Sequence, residues 1–307
     1  MKVLVATGKP FSKEAVAGIK SIVEGSNNEF ILLESYKENS ELLEAVKDVE
    51  AIIIRSDKIT AEVVEAAKNL KIVVRAGAGY DNVDLEACTA KGIVVMNTPG
   101  QNSNAVAELV IALMIFINRG QFTPKAGKEV SGKKLGIQAF GNVGRIVGRY
   151  AKGLGMEVYA FDPFITDKSV FTNEGVTEVS SLEELYSTCD VISLHIPATP
   201  KTINSINYDL LSRMPKGATL INTARKEVIN EAELVKLMAE REDFKYIADI
   251  APNNAEELTE KFGNRFFATP KKMGAQTAEA NLNAGIAAAT QIINFFTKGD
   301  RKFQVNK

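Results

Sequence analysis

The sequence predicts an α/β protein of two domains, each built around a parallel sheet. Short apolar segments alternate with helical stretches from the first residues onward, which is typical of parallel α/β domains. Residues 135–162 read as a strand, a glycine-containing turn, a helix and a second strand, and they start the same alternation again. The 307 residues are enough for two domains with separate cores.

The first domain is predicted from strands at residues 3–6, 30–33, 51–54, 72–74 and 93–97, with helices from Ser12, Ser40 and Thr60 and a short helix at 85–91. Ser and Thr are favoured N-cap residues, and Gly92 lies just past the end of the short helix, where glycine is favoured. The last helix is expected at residues 277–297. The closing KFQV could return a strand to the first domain, which would make that domain discontinuous.

Thr98, Pro99 and Gly100 end the first domain, so we place it at residues 1–98 plus 285–307 and the second domain at residues 99–284. The helix at residues 103–119 is apolar on most sides, which fits a core, an interdomain or a subunit-interface position. Further strands are expected at residues 135–140, 157–161, 191–194, 218–222, 246–250 and 266–269. Chemistry is expected at their carboxyl ends.

The turn within residues 135–162 has the pattern of a dinucleotide-binding site. Gly141 would let the backbone approach a pyrophosphate, and Gly144 would let the helix pack closely on the strand. Asp162 follows about twenty residues later, where a carboxylate accepts hydrogen bonds from the adenosine ribose and disfavours a 2′-phosphate. This predicts NAD over NADP. Ala139 replaces the first glycine of the usual motif, and an ordinary βα turn is the alternative.

Composition excludes several classes of partner. The formal net charge is −1 and hydrophobic residues make up 45%, so no strong field points to nucleic acid or to a membrane surface. No apolar run reaches the length of a bilayer-spanning helix or of a signal peptide, and we expect a cytoplasmic protein with small-molecule partners. Cys88 and Cys189 lack the spacing of a zinc site or a disulfide framework, so no metal is expected and both are predicted to be buried thiols.

Five motifs in order resemble the D-2-hydroxyacid dehydrogenases: RAGAGYDNVDLEACTAKGIVVMNTPG at 75–100, the turn at 135–162, CDVISLHIPATPKT at 189–202, MPKGATLINTAR at 214–225 and ADI ending at 250. The resemblance implies two Rossmann-like domains, a discontinuous substrate domain, a cleft between the domains as active site, NAD as cofactor and a homodimer. Within the family the motifs are most similar to the branch that oxidises D-3-phosphoglycerate to 3-phosphohydroxypyruvate, the first step of serine biosynthesis.

The resemblance also implies roles for individual residues. Arg225 would hold the substrate carboxylate and polarise the carbonyl, a task that suits a planar charged fork. The cofactor would contact Ala78, Gly141, Asn142, Val143, Gly144, Asp162, His195, Ile196, Thr223, Ala224, Asp249, Gly274 and Ala275. The substrate would contact Arg55, Ser56, Gly77, Gly79 and Asn102 in addition to Arg225.

Two positions depart from the family pattern. The catalytic histidine is replaced by Lys272 in KKMGAQT, and the glutamate that orients it is replaced by Asn254. His195 is the one histidine in the chain and matches a residue beside the cofactor. We predict that Lys272 is the acid/base, with burial and nearby positive charge lowering its pKa from the usual value of about 10.4. Lys271 is one residue away in the alignment, and a surface pair of lysines is the alternative.

Two competing functions stay open. A reductase of glyoxylate or hydroxypyruvate would use the same fold without a phosphate site, in which case Arg55 would pair with Asp57 at the surface. The second alternative is a catalytically inactive NAD(H)-binding sensor, which the loss of the histidine permits. Both Arg225 and Asp249 are retained, which a pure binding protein does not require and which favours an enzyme.

Overall fold

The computed structural model describes residues 1–306, which form two compact units. The first unit contains residues 1–102 together with the segment from Gln276 onward, and the second contains Ser103–Ala275. Each unit is organised around one sheet in which all strands are parallel. The predicted α/β class with two parallel sheets is therefore confirmed.

The sheet of the first unit has the order β2-β1-β3-β4-β5, with strands β1 (Lys2–Thr7), β2 (Glu29–Glu34), β3 (Ala51–Ile54), β4 (Ile72–Arg75) and β5 (Val94–Asn97). Helices α1 (Lys13–Gly25), α2 (Asn39–Ala45), α3 (Ala61–Ala66) and α4 (Leu85–Ala90) connect them. Side chains of Ser12 and Thr60 cap α1 and α3 as predicted. Helix α2 begins one residue earlier than Ser40 and has Glu38 as its N-cap residue. In this order the chain reverses direction across the sheet between β1 and β3.

The last helix, α12 (Ala278–Lys298), packs on α1 within the first unit. At Gly18 and Gly285 a Cβ would meet Ile286 at 2.5 Å and Ile19 at 2.8 Å, so the two helices approach closely. The second segment of the first unit begins at Gln276, before α12, and the predicted boundary at 285 lies inside the helix. The closing KFQV does not form a full strand, because only a single antiparallel bridge joins Gln304 to Met96.

The sheet of the second unit has the order β12-β11-β10-β9-β6-β7-β8. Its strands are β6 (Lys134–Gln138), β7 (Glu157–Phe161), β8 (Thr177–Glu178), β9 (Val191–Leu194), β10 (Thr219–Asn222), β11 (Lys245–Ala248) and β12 (Phe266–Ala268). This is the order of dinucleotide-binding sheets, and it reverses direction between β6 and β9. Ligands of such sheets bind outside the carboxyl ends at that reversal.

The helices of the second unit are α5 (Ser103–Asn118), α6 (Asn142–Gly153), α7 (Ser169–Asn173), α8 (Leu182–Thr188), α9 (Tyr208–Ser212), α10 (Glu231–Glu240) and α11 (Ala255–Phe262). One face of α5 is buried in the core and packs against α6. The strand predicted to run to Phe140 ends at Gln138, because Ala139 turns the backbone into the left-handed region with φ +73°. Cys88 and Cys189 are buried free thiols, as predicted.

Among residues 1–306, no helix combines the length and apolar character needed to cross a bilayer.

Candidate active site

The turn between β6 and α6 is shaped by two glycines with different surroundings. At Gly144 a Cβ would lie 2.5 Å from the carbonyl oxygen of Ala139 and 2.9 Å from Cγ2 of Ile137, so helix and strand touch there. At Gly141, the N-cap of α6, a Cβ would meet no atom within 4 Å. The first amide groups of a helix have no carbonyl partners within the helix, so they offer donors to an anion. The turn therefore has a tight inner side and an open outer side.

Asp162 ties the end of β7 to this turn. Its Oδ2 accepts a hydrogen bond from the Phe140 backbone N–H at 2.9 Å, and its Oδ1 accepts one from the Phe164 N–H at 2.9 Å. The carboxylate also lines an open cavity of about 520 Å³ at the carboxyl ends of β7 and β8. Lys168 and Glu178 form an ion pair in the same wall.

His195 lies where the sheet reverses direction, at the end of β9. Its backbone N–H donates to the Gln138 carbonyl at 3.0 Å, and its Nε2 lies 3.0 Å from Oγ of Ser193. Burial lowers the pKa of His195 to about 4, so the ring is neutral at pH 7. Beneath it the buried Tyr186 hydroxyl donates to Oε1 of Gln138 at 2.7 Å. A neutral, anchored ring fits the predicted binding or structural role better than an acid/base role.

The turn after β10 carries Thr223, Ala224 and Arg225. Asn222 holds this turn, because its Oδ1 accepts from the Ala224 N–H at 3.0 Å and its Nδ2 donates to the Arg225 carbonyl at 2.9 Å. The guanidinium of Arg225 is half-buried and donates to the Ala224 carbonyl at 2.9 Å. Oγ1 of Thr223 is buried and has no hydrogen-bond partner among residues 1–306. A buried hydroxyl of this kind is costly unless a ligand pairs with it.

These features fit a dinucleotide. Gly144 lets the helix approach the strand, Gly141 leaves room at the helix N-terminus for a pyrophosphate, and Asp162 stands beside a cavity large enough for part of an adenosine. Thr223, which follows β10, has a buried hydroxyl that no residue among 1–306 pairs with and that a ligand could bind. The side chains expected to hold NAD in this unit are therefore gathered at one edge of one sheet.

The segment at residues 269–275 follows β12 at the same edge and is held by Asp249, whose side chain is 1% exposed. Lys271 and Lys272 are both exposed. The exposure of Lys272 does not supply the desolvation predicted for it from the sequence. Asn254 is the N-cap residue of α11, and its buried Oδ1 has no hydrogen-bond partner among residues 1–306.

In the first unit, Arg55 follows β3 and its donors are largely used. Nη1 donates to the carbonyls of Lys9 and Pro10 at 3.2 and 2.9 Å, and Nη2 donates to Oδ1 of Asn281. Its guanidinium also lies over the Phe11 ring at 5.1 Å. Asp57 accepts from Gly8 and Tyr36 at 2.6 and 2.7 Å, so the expected alternative of a simple pair between Arg55 and Asp57 is not what the structure shows.

Arg75 adjoins the predicted substrate residues and is not among the site residues that the sequence predicts. It ends β4, beside Arg55, and its Nε donates to the Arg55 carbonyl at 3.0 Å. Its guanidinium lies against Gly77, where a Cβ would be 1.5 Å from Nη1 and where φ is +145°. The sequence RAGAG at residues 75–79 indicates a glycine turn directly after Arg75. A glycine two residues after an arginine leaves room for its side chain, and this pattern could have identified Arg75.

The predicted site residues thus form one group in each unit. In the first unit they lie after β3, β4 and β5: Arg55, Ser56, Gly77, Ala78, Gly79 and Asn102. In the second unit they lie after β6, β7, β9, β10, β11 and β12: Gly141, Asn142, Val143, Gly144, Asp162, His195, Ile196, Thr223, Ala224, Arg225, Asp249, Lys272, Gly274 and Ala275. Every one of them follows the carboxyl end of a strand, as expected for ligands of parallel sheets.

Comparison with known proteins identifies the class. Residues 105–271 match the D-isomer specific 2-hydroxyacid dehydrogenase NAD-binding domain. The chain is 37% identical over 270 residues to D-3-phosphoglycerate dehydrogenase of Methanocaldococcus jannaschii, covering 82% of this chain and 51% of that protein. It is 34% identical over 241 residues to hydroxypyruvate reductase of Thermotoga maritima, covering 72% of this chain and 76% of that one. The chain thus spans about half the length of the first of these relatives.

A solved structure matches over the whole chain. The NAD⁺-bound 3-phosphoglycerate dehydrogenase of Entamoeba histolytica has a TM-score of 0.91 and 49% identity, and the match covers 100% of this chain and 99% of that one. This chain belongs to the D-isomer specific 2-hydroxyacid dehydrogenase family. The predicted enzyme class, an NAD-dependent dehydrogenase, and the predicted cofactor are thereby confirmed.

Proposed function

We propose that the protein oxidises D-3-phosphoglycerate to 3-phosphohydroxypyruvate with NAD, the first step of serine biosynthesis. The observation that carries the proposal is the match over essentially the full length of both chains to the Entamoeba enzyme, at 49% identity. Several further relatives named D-3-phosphoglycerate dehydrogenase support it, including that of Haemophilus influenzae at 35% identity over 289 residues.

Arg225 and Lys272 would carry out the chemistry on the substrate side. Bound NAD would supply the acceptor for the hydride that leaves C2 of the hydroxy acid. The Arg225 guanidinium would hold the carboxylate through paired N–H donors, and the turn that Asn222 fixes would keep that fork in place. Neutral Lys272 would take the hydroxyl proton as the C2–H bond breaks, leaving a ketone and a lysine ammonium. In the reverse direction the ammonium would return the proton.

A substrate phosphate needs positive charge, and the first unit offers two adjacent arginines. The contacts of Arg55 with Lys9, Pro10 and Asn281 leave its Nε and one Nη2 N–H for a ligand, and Arg75 lies directly beside it. We infer that Arg75 shares the phosphate with Arg55. Their rigid seating by the Lys9 and Pro10 carbonyls and by Gly77 limits the conformational entropy lost on binding.

The test is turnover of NADH with purified protein, comparing 3-phosphohydroxypyruvate with hydroxypyruvate, glyoxylate, pyruvate and 2-oxoglutarate. Rapid turnover confined to the phosphorylated acid is expected. Lys272→Ala should lose most of kcat, by about a hundredfold or more, while NADH still binds. Lys271→Ala is the matched control and should keep activity; the reverse result would move the acid/base to Lys271.

A second candidate is reduction of hydroxypyruvate or glyoxylate, which the match to the Thermotoga hydroxypyruvate reductase favours. Arg75→Ala separates the two, because it should raise KM for the phosphorylated acid about tenfold or more and leave KM for glyoxylate unchanged. If none of the acids is reduced while NADH still binds, the inactive NAD(H)-binding sensor is favoured instead.

We also infer a homodimer. The C-terminal half of α5 has partly exposed apolar side chains, among them Phe116, and Phe122 beyond its end is 68% exposed. The Phe116 ring lies 5.3 Å from that of Phe122 and 4.9 Å from that of Phe267, so the three rings form an aromatic surface group. Exposed apolar groups of this kind mark association surfaces.

A further inference from the structure

Asp249 is a carboxylate whose oxygens are occupied by one short loop. Its side chain is 1% exposed. Oδ1 accepts from the Met273 backbone N–H at 2.8 Å, and Oδ2 accepts from the Gly274 N–H at 2.8 Å. Its own N–H donates to the Asn222 carbonyl at 2.9 Å, which ties it to the end of β10. Asp249 therefore connects the rigid sheet to the loop after β12.

Thr269 completes the same network from the other side of the loop. Its Oγ1 lies 2.6 Å from the Asp249 carbonyl oxygen, 3.0 Å from Oδ1 of Asp249 and 2.9 Å from the Lys271 carbonyl oxygen. The hydroxyl and the carboxylate together hold residues on both sides of Lys271 and Lys272. The backbone of the two lysines is thus held on one side by two N–H bonds to Asp249 and on the other by the Thr269 hydroxyl, whose one proton has three acceptor oxygens within reach. The lysine side chains themselves are exposed.

Gly274 shows how closely the carboxylate and the loop fit. A Cβ at this position would lie 2.9 Å from Oδ2 of Asp249 and 3.3 Å from Cγ2 of Val106. The loop backbone therefore lies directly on the carboxylate, with α5 behind it. A change in the charge or shape of the carboxylate must shift the loop.

We propose that Asp249 is a positioning residue, which holds the loop at 269–274 so that its lysine reaches the reacting hydroxyl. This rests on the proposed function, in which Lys272 is the acid/base, and it goes beyond the contact with the cofactor expected for Asp249. Lysine has a flexible stem of four carbons, and Asn254 replaces the acid that orients the family's histidine. The backbone position of the loop therefore contributes to where the lysine amine lies, and a displacement of about 1 Å can cost about a hundredfold in rate.

Asp249→Asn tests the proposal with three measurements. The amide keeps one acceptor but turns an NH₂ group toward the second loop N–H, so one bond is lost and one N–H is unpaired. We expect faster hydrogen exchange at residues 270–275, a fall in kcat of about tenfold or more, and a dissociation constant for NADH, measured by fluorescence, within about threefold of wild type.

Thr269→Val is a second, isosteric variant in case Asp249→Asn folds poorly. It removes the hydroxyl bonds but leaves the carboxylate and should lower kcat in the same direction by a smaller factor. Asp190→Asn is the matched control: Asp190 accepts from the Lys134 N–H at 2.9 Å at the amino end of β6, away from the loop. It should leave loop exchange and kcat unchanged.

The outcomes separate the two roles of Asp249. If NADH affinity falls by the same factor as kcat/KM in Asp249→Asn while loop exchange is unchanged, the positioning role is overturned and the residue acts through the cofactor alone. Unchanged kcat in both variants would also overturn it. If wild type turns over no acid in the panel, the proposed function fails, yet loop exchange and NADH binding still report on whether Asp249 holds the loop.

Discussion

Ala139 has φ +73°, a left-handed backbone conformation that glycine adopts at much lower cost. Replacement by glycine should raise the free energy of unfolding by about 0.5 to 1 kcal/mol, because relief of backbone strain exceeds the added entropy of the unfolded chain. Urea unfolding measures it. Ala126→Gly, in an exposed loop without a positive φ, is the control and should be neutral or destabilising. Equal effects of the two changes would show that Ala139 is unstrained.

His195 makes stability depend on pH. Its pKa falls from 6.5 to about 4 on folding, so between those values the unfolded chain binds a proton that the folded chain does not. The free energy of unfolding is therefore unaffected by His195 above pH 6.5, and it decreases as the pH falls toward 4, by up to about 3 kcal/mol. Between pH 7 and pH 4 the wild type should therefore lose more unfolding free energy than His195→Gln, because glutamine does not titrate. A difference that stays constant with pH would contradict the assigned pKa.

At the scale of elements, the junction of β6 and α6 gives a matched pair of variants. Gly144→Ala places a Cβ against Ala139 and Ile137, and it should destabilise the fold by about 1 to 3 kcal/mol and weaken NADH binding. Gly141→Ala places its Cβ in open space and should weaken NADH binding without a change in stability. Thermal unfolding and fluorescence titration measure the two effects. Loss of stability in Gly141→Ala would show that the outer side of the turn is not open.

The cavity at the ends of β7 and β8 should set the choice of cofactor. Glu178 pairs with Lys168 beside Asp162, so both carboxylates disfavour a 2′-phosphate. Glu178→Gln would release Lys168 toward that phosphate and should tighten NADPH binding by about two- to fivefold, since exposed pairs are weak. NADH binding should not change. The double variant Glu178→Gln with Lys168→Met is the control, and a similar gain there would exclude Lys168 as the cause.

At the scale of the whole molecule, the aromatic surface group predicts the assembly. Phe122→Glu places a charge among the Phe116 and Phe267 rings and should convert a dimer to a monomer, as measured by sedimentation. Phe164→Glu is the matched control, because Phe164 is 90% exposed and lies outside this group. A monomeric wild type, or dissociation caused by Phe164→Glu alone, would contradict the inferred interface.

Most individual elements could be predicted from local sequence. The strand predicted at 51–54 is β3 as observed, and the Ser12 and Thr60 caps are confirmed, because apolar runs and cap hydroxyls act over a few residues. Strand β8 was missed, because its two residues are exposed and carry no apolar signal. It pairs only with Tyr159 and Ala160 of β7.

The sequence by itself determined the parallel α/β class, the nucleotide turn with Gly144 and Asp162, and membership of the family, because each depends on residue types at short fixed spacings. Only the tertiary structure decided the strand orders and the contact of the Arg75 guanidinium with Gly77. It also decided the hydrogen bonds by which Asp249 and Thr269 hold the loop of the two lysines. Asp249 and Gly274 are 25 residues apart in the chain. Such contacts depend on which strands become neighbours, and this is set by the packing of the whole sheet.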